Sequence, residues 1–89
     1  MYVVFSAAEF QSGTTEDGAV KDHTKQLIPQ IKQAPGFVKG AWFGDDKNGH
    51  GVVIFETEDQ AKAGLQPVGE VFFGVKITSS AVYRLHAEA

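Results

Sequence analysis

The sequence predicts an α+β fold in which one four-stranded antiparallel sheet carries two helices on one face. Strand-like apolar runs and helical stretches follow one another in the order β-α-β-β-α-β. The pair Asn48-Gly49 indicates a hairpin between the second and third strands, because such turns need positive φ angles. With 89 residues, the chain suits a single domain spanning 1–89.

The first strand, Tyr2–Ala7, is apolar at both odd and even positions. Thr14 or Thr15 can cap the helix that follows, because a threonine hydroxyl accepts a hydrogen bond from an unpaired N–H of the first turn. The helix extends to about Gln33. Pro29 lies inside it and predicts a disturbance of the preceding turn, since proline has no backbone N–H.

The second and third strands are Phe37–Phe43 and His50–Glu56, and the loop Gly44–Gly49 joins them. On the second strand, strict alternation places Phe37 on the face opposite Trp42. A short second helix follows the third strand and begins at a capping box formed by Thr57 and Gln60.

The last third of the chain carries weaker signals. Val71–Gly74 fits either a loop or a further half-turn. Val75–Leu85 forms the fourth strand, where alternation places Ile77 on the same face as Ser79 and Tyr83. The tail after this strand is expected to fray.

Both faces of the predicted sheet are apolar. Val52 and Ile54 oppose Val53 and Phe55 on the third strand, so neither parity is polar. Two helices cover only one face, and an exposed apolar patch of this kind is unusual for a monomer. We therefore expect a homodimer packed through its sheet faces; the alternative is a monomer whose own tail covers the second face.

Composition argues against several function classes. The net charge of −3 and the scattered basic residues disfavour a nucleic-acid surface. The chain has no cysteine and therefore no disulfide framework or thiolate site. No apolar stretch reaches the roughly 18 residues that cross a membrane, and no secretory signal is visible. These features predict a cytoplasmic protein that binds neither membrane nor nucleic acid.

Three segments resemble a known family: Pro29–Trp42, Phe55–Ala63 and Thr78–Tyr83. They are similar to the dimeric α+β barrel superfamily, nearest to the small proteins related to antibiotic-biosynthesis monooxygenases. The resemblance implies a ferredoxin-like protomer, a dimer and a cavity between sheet and helices. Some members oxidise aromatic polyketides without metal or flavin. Others degrade haem with an Asn/Trp/His arrangement that this chain does not clearly repeat.

A rival resemblance is to RNA-recognition motifs, which share the element order. Asn48–Phe55 partly matches their third-strand signature. His50 and Val52, however, replace the aromatic rings that stack on bases, and Asn48 replaces a basic residue. RNA binding therefore ranks as a distant third hypothesis.

Five residues are candidates for a site. His23 and Tyr83 are the predicted catalytic residues, with His23 as a general base. Trp42, Phe55 and Arg84 are the predicted ligand-binding residues, and Gly40 and Gly44 leave space beside the indole of Trp42. Equally simple structural explanations exist: Trp42 as a core or interface anchor, His23 as a half-exposed helix residue and Tyr83 as strand packing.

No metal site and no cofactor are expected, because no histidines or carboxylates stand at ligand spacing. Ser6, Ser79 and Ser80 have no visible base partner, which gives nucleophilic catalysis no support. The leading hypothesis is a cofactor-independent, monooxygenase-like protein that acts on or binds a small aromatic molecule. The alternative is a non-enzymatic dimeric module for ligand binding or interaction.

Overall fold

The computed structural model describes all 89 residues and contains one antiparallel sheet with helices packed on one face. The elements, in chain order, are β1 (Tyr2–Phe10), α1 (Glu16–Asp22), a π-helical turn (His23–Leu27), α2 (Ile28–Ile31), β2 (Phe37–Gly44), β3 (Asn48–Phe55), α3 (Glu58–Ala63), β4 (Val71–Phe72) and β5 (Val75–Arg84). The strand order is β2-β3-β1-β5-β4. The α+β class is confirmed, but the sheet has five strands and not four.

The additional strand is short and lies at the sheet edge. Phe72 of β4 pairs with Val75 of β5, so Phe73 and Gly74 form a two-residue turn with φ angles of 50° and 80°. Two positive φ angles define the hairpin turn that Asn-Gly usually provides. The sequence predicted a loop or a half-turn for Val71–Gly74 and not a strand. Phenylalanine rarely adopts positive φ, so Phe73 is not a residue that indicates such a turn.

The predicted helix starts are confirmed. Thr15 caps α1, and its hydroxyl accepts a hydrogen bond from the Gly18 N–H at 3.1 Å. Thr57 and Gln60 form the capping box of α3, with hydrogen bonds of 3.2 and 3.1 Å. The first helical segment (residues 16–31, comprising α1, the π-helical turn and α2) ends two residues before the predicted Gln33.

A bulge in β2 reverses one sequence prediction. The pairing with β3 shifts between Phe37 and Lys39, so Val38 is the extra residue. Phe37 therefore faces the helices and packs against the core, on the same face as Trp42. The prediction that Phe37 and Trp42 lie on opposite faces is wrong, because one inserted residue inverts the alternation.

A second bulge, in β5, has the same effect. Ala7 pairs with Ser79 but Ala8 pairs with Ile77, which leaves Thr78 as the extra residue. Ile77 is buried on the helix side. Ser79 belongs to the opposite face, so the prediction that it shares a face with Ile77 is wrong.

The core between sheet and helices is small. Its centre is a cluster of Val4, Val53, Phe55 and Ala61, against which Ile31 packs from α2. Only nine of the 89 residues are buried. The helices therefore cover part of the sheet and leave a hollow over the rest.

The opposite face of the sheet is the open face, which no helix covers. By alternation along the paired strands it carries Val3, Phe5, Ala7, Glu9, Lys39, Ala41, Phe43, Asn48, His50, Val52, Ile54, Lys76, Ser79, Ala81 and Tyr83. Phe43 is 54% exposed and Tyr83 is 58% exposed.

The C-terminal tail is held at one corner of the open face. The Leu85 N–H donates to the Met1 carbonyl at 3.0 Å, and Glu88 forms an ion pair of 2.9 Å with Lys39. Ile54, which lies beside Lys39 in the pairing, is 7% exposed although it belongs to this face. The tail therefore covers this corner, and Phe43 stays open.

Candidate ligand-binding site

A cavity of about 540 Å³ lies between the first helical segment and the sheet. Fifteen of its 26 lining residues are hydrophobic. This volume falls within the roughly 300–1,000 Å³ of sites that bind small organic molecules. The central strands β1 and β3 form the floor of the cavity. Four small residues on this floor leave the space open: Ser6, Ala8, Gly49 and Gly51.

The indole of Trp42 lies on this floor. Trp42 of β2 pairs with Gly51 of β3, where an added Cβ would stand 3.0 Å from both Cδ1 and Nε1 of the indole. A Cβ on Gly40 would stand 2.7 Å from Cη2. Glycine at 40 and 51 therefore lets the ring lie flat along the sheet.

The sequence predicted Gly40 beside the indole but missed Gly51. Gly44, the second predicted neighbour, instead approaches the Asn48 backbone within the hairpin. The signal for Gly51 was present in the hairpin itself. A loop that pairs Gly44 with Gly49 brings Trp42 opposite Gly51 two residues further along each strand.

His23 lies on the opposite wall, in the π-helical turn. Its Nδ1 is 2.8 Å from the carbonyl oxygen of Ala19. A carbonyl oxygen can only accept, so Nδ1 carries the hydrogen and Nε2 of the neutral ring keeps the lone pair. The ring also meets the edge of Phe73, with centroids 6.1 Å apart. His23 can therefore act as a proton acceptor through Nε2.

Pro29 explains the π-helical turn. Proline supplies no N–H, and its ring would collide with the carbonyl of Lys25 in a regular α-helix. The Ile28 N–H reaches back five residues to the His23 carbonyl, which widens the turn before the proline. The predicted disturbance is thus located at His23–Leu27, and it includes the histidine that lines the cavity.

A polar chain crosses the edge of the floor. Ser6 of β1 and Ser80 of β5 pair directly, and their hydroxyl oxygens are 2.9 Å apart. The Gln66 N–H donates to Ser80 Oγ at 3.0 Å. Ser6 lines the cavity. From the sequence, both serines are only residues without a base partner. The contact between them depends on strand register and was not predicted.

The structure does not bring the other predicted site residues to this cavity. Phe55 is 3% exposed in the core. Tyr83 and Arg84 line a separate groove of about 240 Å³, together with Glu58 and His86. Of the five predicted residues, only His23 and Trp42 meet in one cavity.

His50 takes part in an aromatic cluster on the open face. Its ring stacks on Phe43 with centroids 5.4 Å apart and an interplanar angle of 13°, and Phe5 lies 6.0 Å away on the same face. Nδ1 of His50 is buried and has no hydrogen-bond partner. Phe43 and His50 are also among the residues that line the cavity.

No group of three or more histidine or carboxylate side chains is arranged to hold a metal ion. No helix has the length and apolar character needed to cross a membrane.

Comparison with protein-family models and with curated proteins finds no match to this chain.

Proposed function

We propose that the protein binds a small aromatic molecule in the cavity between the first helical segment and the sheet. The observation that carries the proposal is the meeting of Trp42 and His23 in one mostly apolar cavity. A flat indole offers a stacking surface to an aromatic ring. Nε2 of His23 offers an acceptor for a hydroxyl hydrogen. A phenolic compound satisfies both groups.

Oxygenation without a cofactor is the enzymatic form of this proposal. His23 Nε2 takes a proton from a phenolic substrate, which leaves an electron-rich anion that can reduce O₂ directly. For an activated methylene the balance is R₂CH₂ + O₂ → R₂C=O + H₂O. One oxygen atom enters the product, the other leaves as water, and the substrate supplies both electron pairs. The family resemblance and the tautomer of His23 support this form.

Binding without turnover is the second candidate. The position of Tyr83 favours it, because this predicted catalytic residue lies in a separate groove and leaves His23 without that partner. Oxygen uptake distinguishes the two candidates. We expect consumption of one O₂ per product molecule in the enzymatic form, measured with an oxygen electrode on a set of phenolic ketones; the absence of uptake with a bound ligand indicates a binding protein.

The binding proposal is tested with a matched pair of probes, 2-naphthol and 2-methoxynaphthalene. Both stack on the indole, but only the naphthol donates a hydrogen to His23. One hydrogen bond of ordinary strength predicts about fivefold tighter binding of the naphthol in calorimetric titration. His23→Leu is expected to abolish this preference, whereas His86→Leu, a histidine outside the cavity, leaves it intact. Failure of both probes to bind contradicts the proposal.

A homodimer through the open face completes the proposal. A two-fold interface brings a surface against its own copy, so the surface must be free of unbalanced charge. Three charged residues lie on the open face: Lys39, which Glu88 neutralises, and Glu9 and Lys76, which carry opposite charges and pair directly across β1 and β5. Phe43 remains more than half exposed and gives a second copy an apolar surface to bury.

A further inference from the structure

The floor of the cavity contains one row of four residues that runs across four strands. Trp42 of β2 pairs with Gly51 of β3, Gly51 pairs with Ser6 of β1, and Ser6 pairs with Ser80 of β5. Side chains in such a row point to the same face. The indole and the Ser6 hydroxyl are therefore neighbours across a glycine that has no side chain of its own.

The end of the indole that contains Nε1 lies toward Ser6. Nε1 stands 3.0 Å from the position that a Gly51 Cβ would occupy, while the Cη2 end of the ring lies over Gly40. Directly paired residues have Cβ positions about 5 Å apart. An atom placed between the indole Nε1 and the Ser6 side chain is thus within reach of both Nε1 and the Ser6 hydroxyl.

The indole N–H of Trp42 and the hydroxyl of Ser6 can each donate a hydrogen bond to a ligand. Trp42 Nε1 takes part in none of the side-chain hydrogen bonds within the protein. Ser80 Oγ already accepts from the Gln66 N–H, and it can pass its own hydrogen to Ser6 Oγ. The Ser6 hydrogen is then free to point into the cavity.

We infer that Trp42 Nε1–H and Ser6 Oγ–H form a receptor for one acceptor oxygen of the ligand, held between the indole and Ser6. An indole N–H can only donate, so the shared atom must be an acceptor, such as a carbonyl or phenolate oxygen. The inference rests on the proposed function and narrows its ligand class. The ligand is an aromatic ketone or quinone that also carries a hydroxyl group for His23.

The test uses 1-tetralone and tetralin, which have the same two-ring skeleton and differ by the carbonyl oxygen. The unaltered protein should bind tetralone about fivefold tighter, as two hydrogen bonds at the weak end of the ordinary range predict. Ser6→Ala should reduce this ratio to about twofold. The double variant that combines Ser6→Ala with Trp42→Phe keeps an aromatic ring at position 42 but lacks both donors. It should bring the ratio of the two affinities to about one.

Ser79→Ala is the matched control, because Ser79 precedes Ser80 but belongs to the open face. Ser79→Ala should leave the ratio of tetralone affinity to tetralin affinity unchanged. Ser80→Ala should lower this ratio, because Ser6 loses its hydrogen bond to Ser80. A Ser6→Ala variant that binds both probes more weakly by the same factor shows a purely structural serine and overturns the inference.

A measurement on the unaltered protein avoids dependence on variants. Trp42 is the only tryptophan, so its indole N–H gives one resonance in a ¹H–¹⁵N spectrum. Tetralone should move this resonance downfield relative to tetralin, since the N–H gains an acceptor. Equal binding of both probes with equal shifts overturns the inference and leaves the proposed aromatic site intact. Failure of both probes to bind overturns both the inference and the proposed aromatic site.

Discussion

The indole of Trp42 can lie flat along the sheet because two of its neighbours are glycines, which have no side chain. Gly40 and Gly51 lie under opposite ends of the indole, and a methyl group on either would occupy space that the ring now fills. Glycine inside a strand ordinarily weakens it, since the strand gains no packing and loses more chain entropy. The cost is offset here by the close approach of a large aromatic ring.

We expect Gly51→Ala to crowd the indole against the floor. The new Cβ would stand 3.0 Å from Cδ1 and Nε1, so the ring must move by a few tenths of an ångström. Binding of 2-naphthol should weaken about tenfold or more, and the free energy of unfolding should fall by about 1 kcal/mol, as for a strained core. Calorimetric titration and urea unfolding measure the two effects.

Gly49→Ala provides the control on the same strand and the same face. Its Cβ would meet only Phe10 at 3.4 Å, which is an ordinary contact. Similar losses of binding in both variants would show that the indole is not the group that Gly51 accommodates.

Asp45 organises the hairpin loop between β2 and β3. Its Oδ1 accepts hydrogen bonds from the backbone N–H groups of Lys47 and Asn48, each at 2.8 Å. The bond from Lys47, followed by the bond from Asn48, lowers the pKa of the Asp45 carboxyl below its ordinary value of 3.8. The ionised side chain therefore stabilises the folded protein.

The sign of the pH effect follows from this lowered pKa. The stabilisation is present above the pKa of the unfolded chain, at about 3.8, and is lost as the pH falls through the lower folded-state value. Asp45→Asn keeps the acceptor but removes the charge, so its deficit in unfolding free energy should shrink below pH 3.8. Asp46→Asn, which disturbs neither hydrogen bond, is the control. A deficit that does not depend on pH contradicts the assignment.

At the scale of elements, the π-helical turn is an irregularity in the first helical segment, and it contains His23, which lines the cavity. A regular helix would continue through residues 16–31 if position 29 supplied an N–H. The wider turn carries one more residue per hydrogen-bonded ring and so changes the direction of His23 relative to α2. The proline and the orientation of the imidazole are therefore coupled.

Pro29→Ala should separate stability from binding. Restoring the N–H favours a regular α-helix and should raise the free energy of unfolding by about 1 kcal/mol. The same change should rotate His23 and remove the preference for 2-naphthol over 2-methoxynaphthalene. Denaturant unfolding and calorimetry test the two effects, and a variant that keeps the full naphthol preference shows that the turn does not position His23.

The β4–β5 turn is a second element with a specific geometric requirement. Gly74 has a φ of 80°, and its carbonyl accepts hydrogen bonds from the Gln11 N–H at 2.8 Å and from the Thr14 hydroxyl at 3.0 Å. A Cβ at this position would collide with the Thr14 side chain. The turn thus anchors β4 and β5 to the loop before α1.

Gly74→Ala should destabilise the protein more than Gly13→Ala. Both glycines have positive φ angles, of 80° and 87°, so both substitutions carry the backbone cost of about 1–2 kcal/mol. Only Gly74 has a neighbour in the way, because nothing lies within 4 Å of a Cβ at Gly13. Equal shifts in thermal midpoint would contradict the packing of Thr14 against the turn.

At the scale of the whole molecule, the chain has little core and a large uncovered sheet face. Nine of 89 residues are buried. A domain of this size buries only about 60–65% of its unfolded surface and is correspondingly marginal. The open face is the apolar surface whose coverage would add most stability.

We expect a solution mass twice the 9.6 kDa of one chain in analytical ultracentrifugation. Phe43→Glu should shift the equilibrium to the monomer, because two-fold symmetry places two new charges in the interface. Val68→Glu is the control, since Val68 is 62% exposed in the loop before β4. A monomeric unaltered protein at high concentration would contradict the dimer and leave the open face to the tail and solvent.

Local signals in the sequence predicted most of the elements. The caps at Thr15 and Thr57 and the β2–β3 hairpin depend on residues that are close in the chain. Their hydrogen bonds form within three or four residues, so spacing alone is informative. The predicted reason for the hairpin, positive φ angles at Asn48-Gly49, is wrong, because both residues lie in β3 and neither has a positive φ angle. The faces of the strands were predicted less well, because one bulge at Val38 and another at Thr78 each invert the alternation.

The sequence by itself determined the α+β class, the helix caps, the central hairpin and the disturbance before Pro29, since these follow from short-range chemistry. Only the tertiary structure decided that His23 and Trp42 share a cavity and that Tyr83 does not. It also revealed the row from Trp42 through Gly51 to Ser6. Strand register and bulges bring distant residues together, and they depend on packing of the whole chain, which no local pattern encodes.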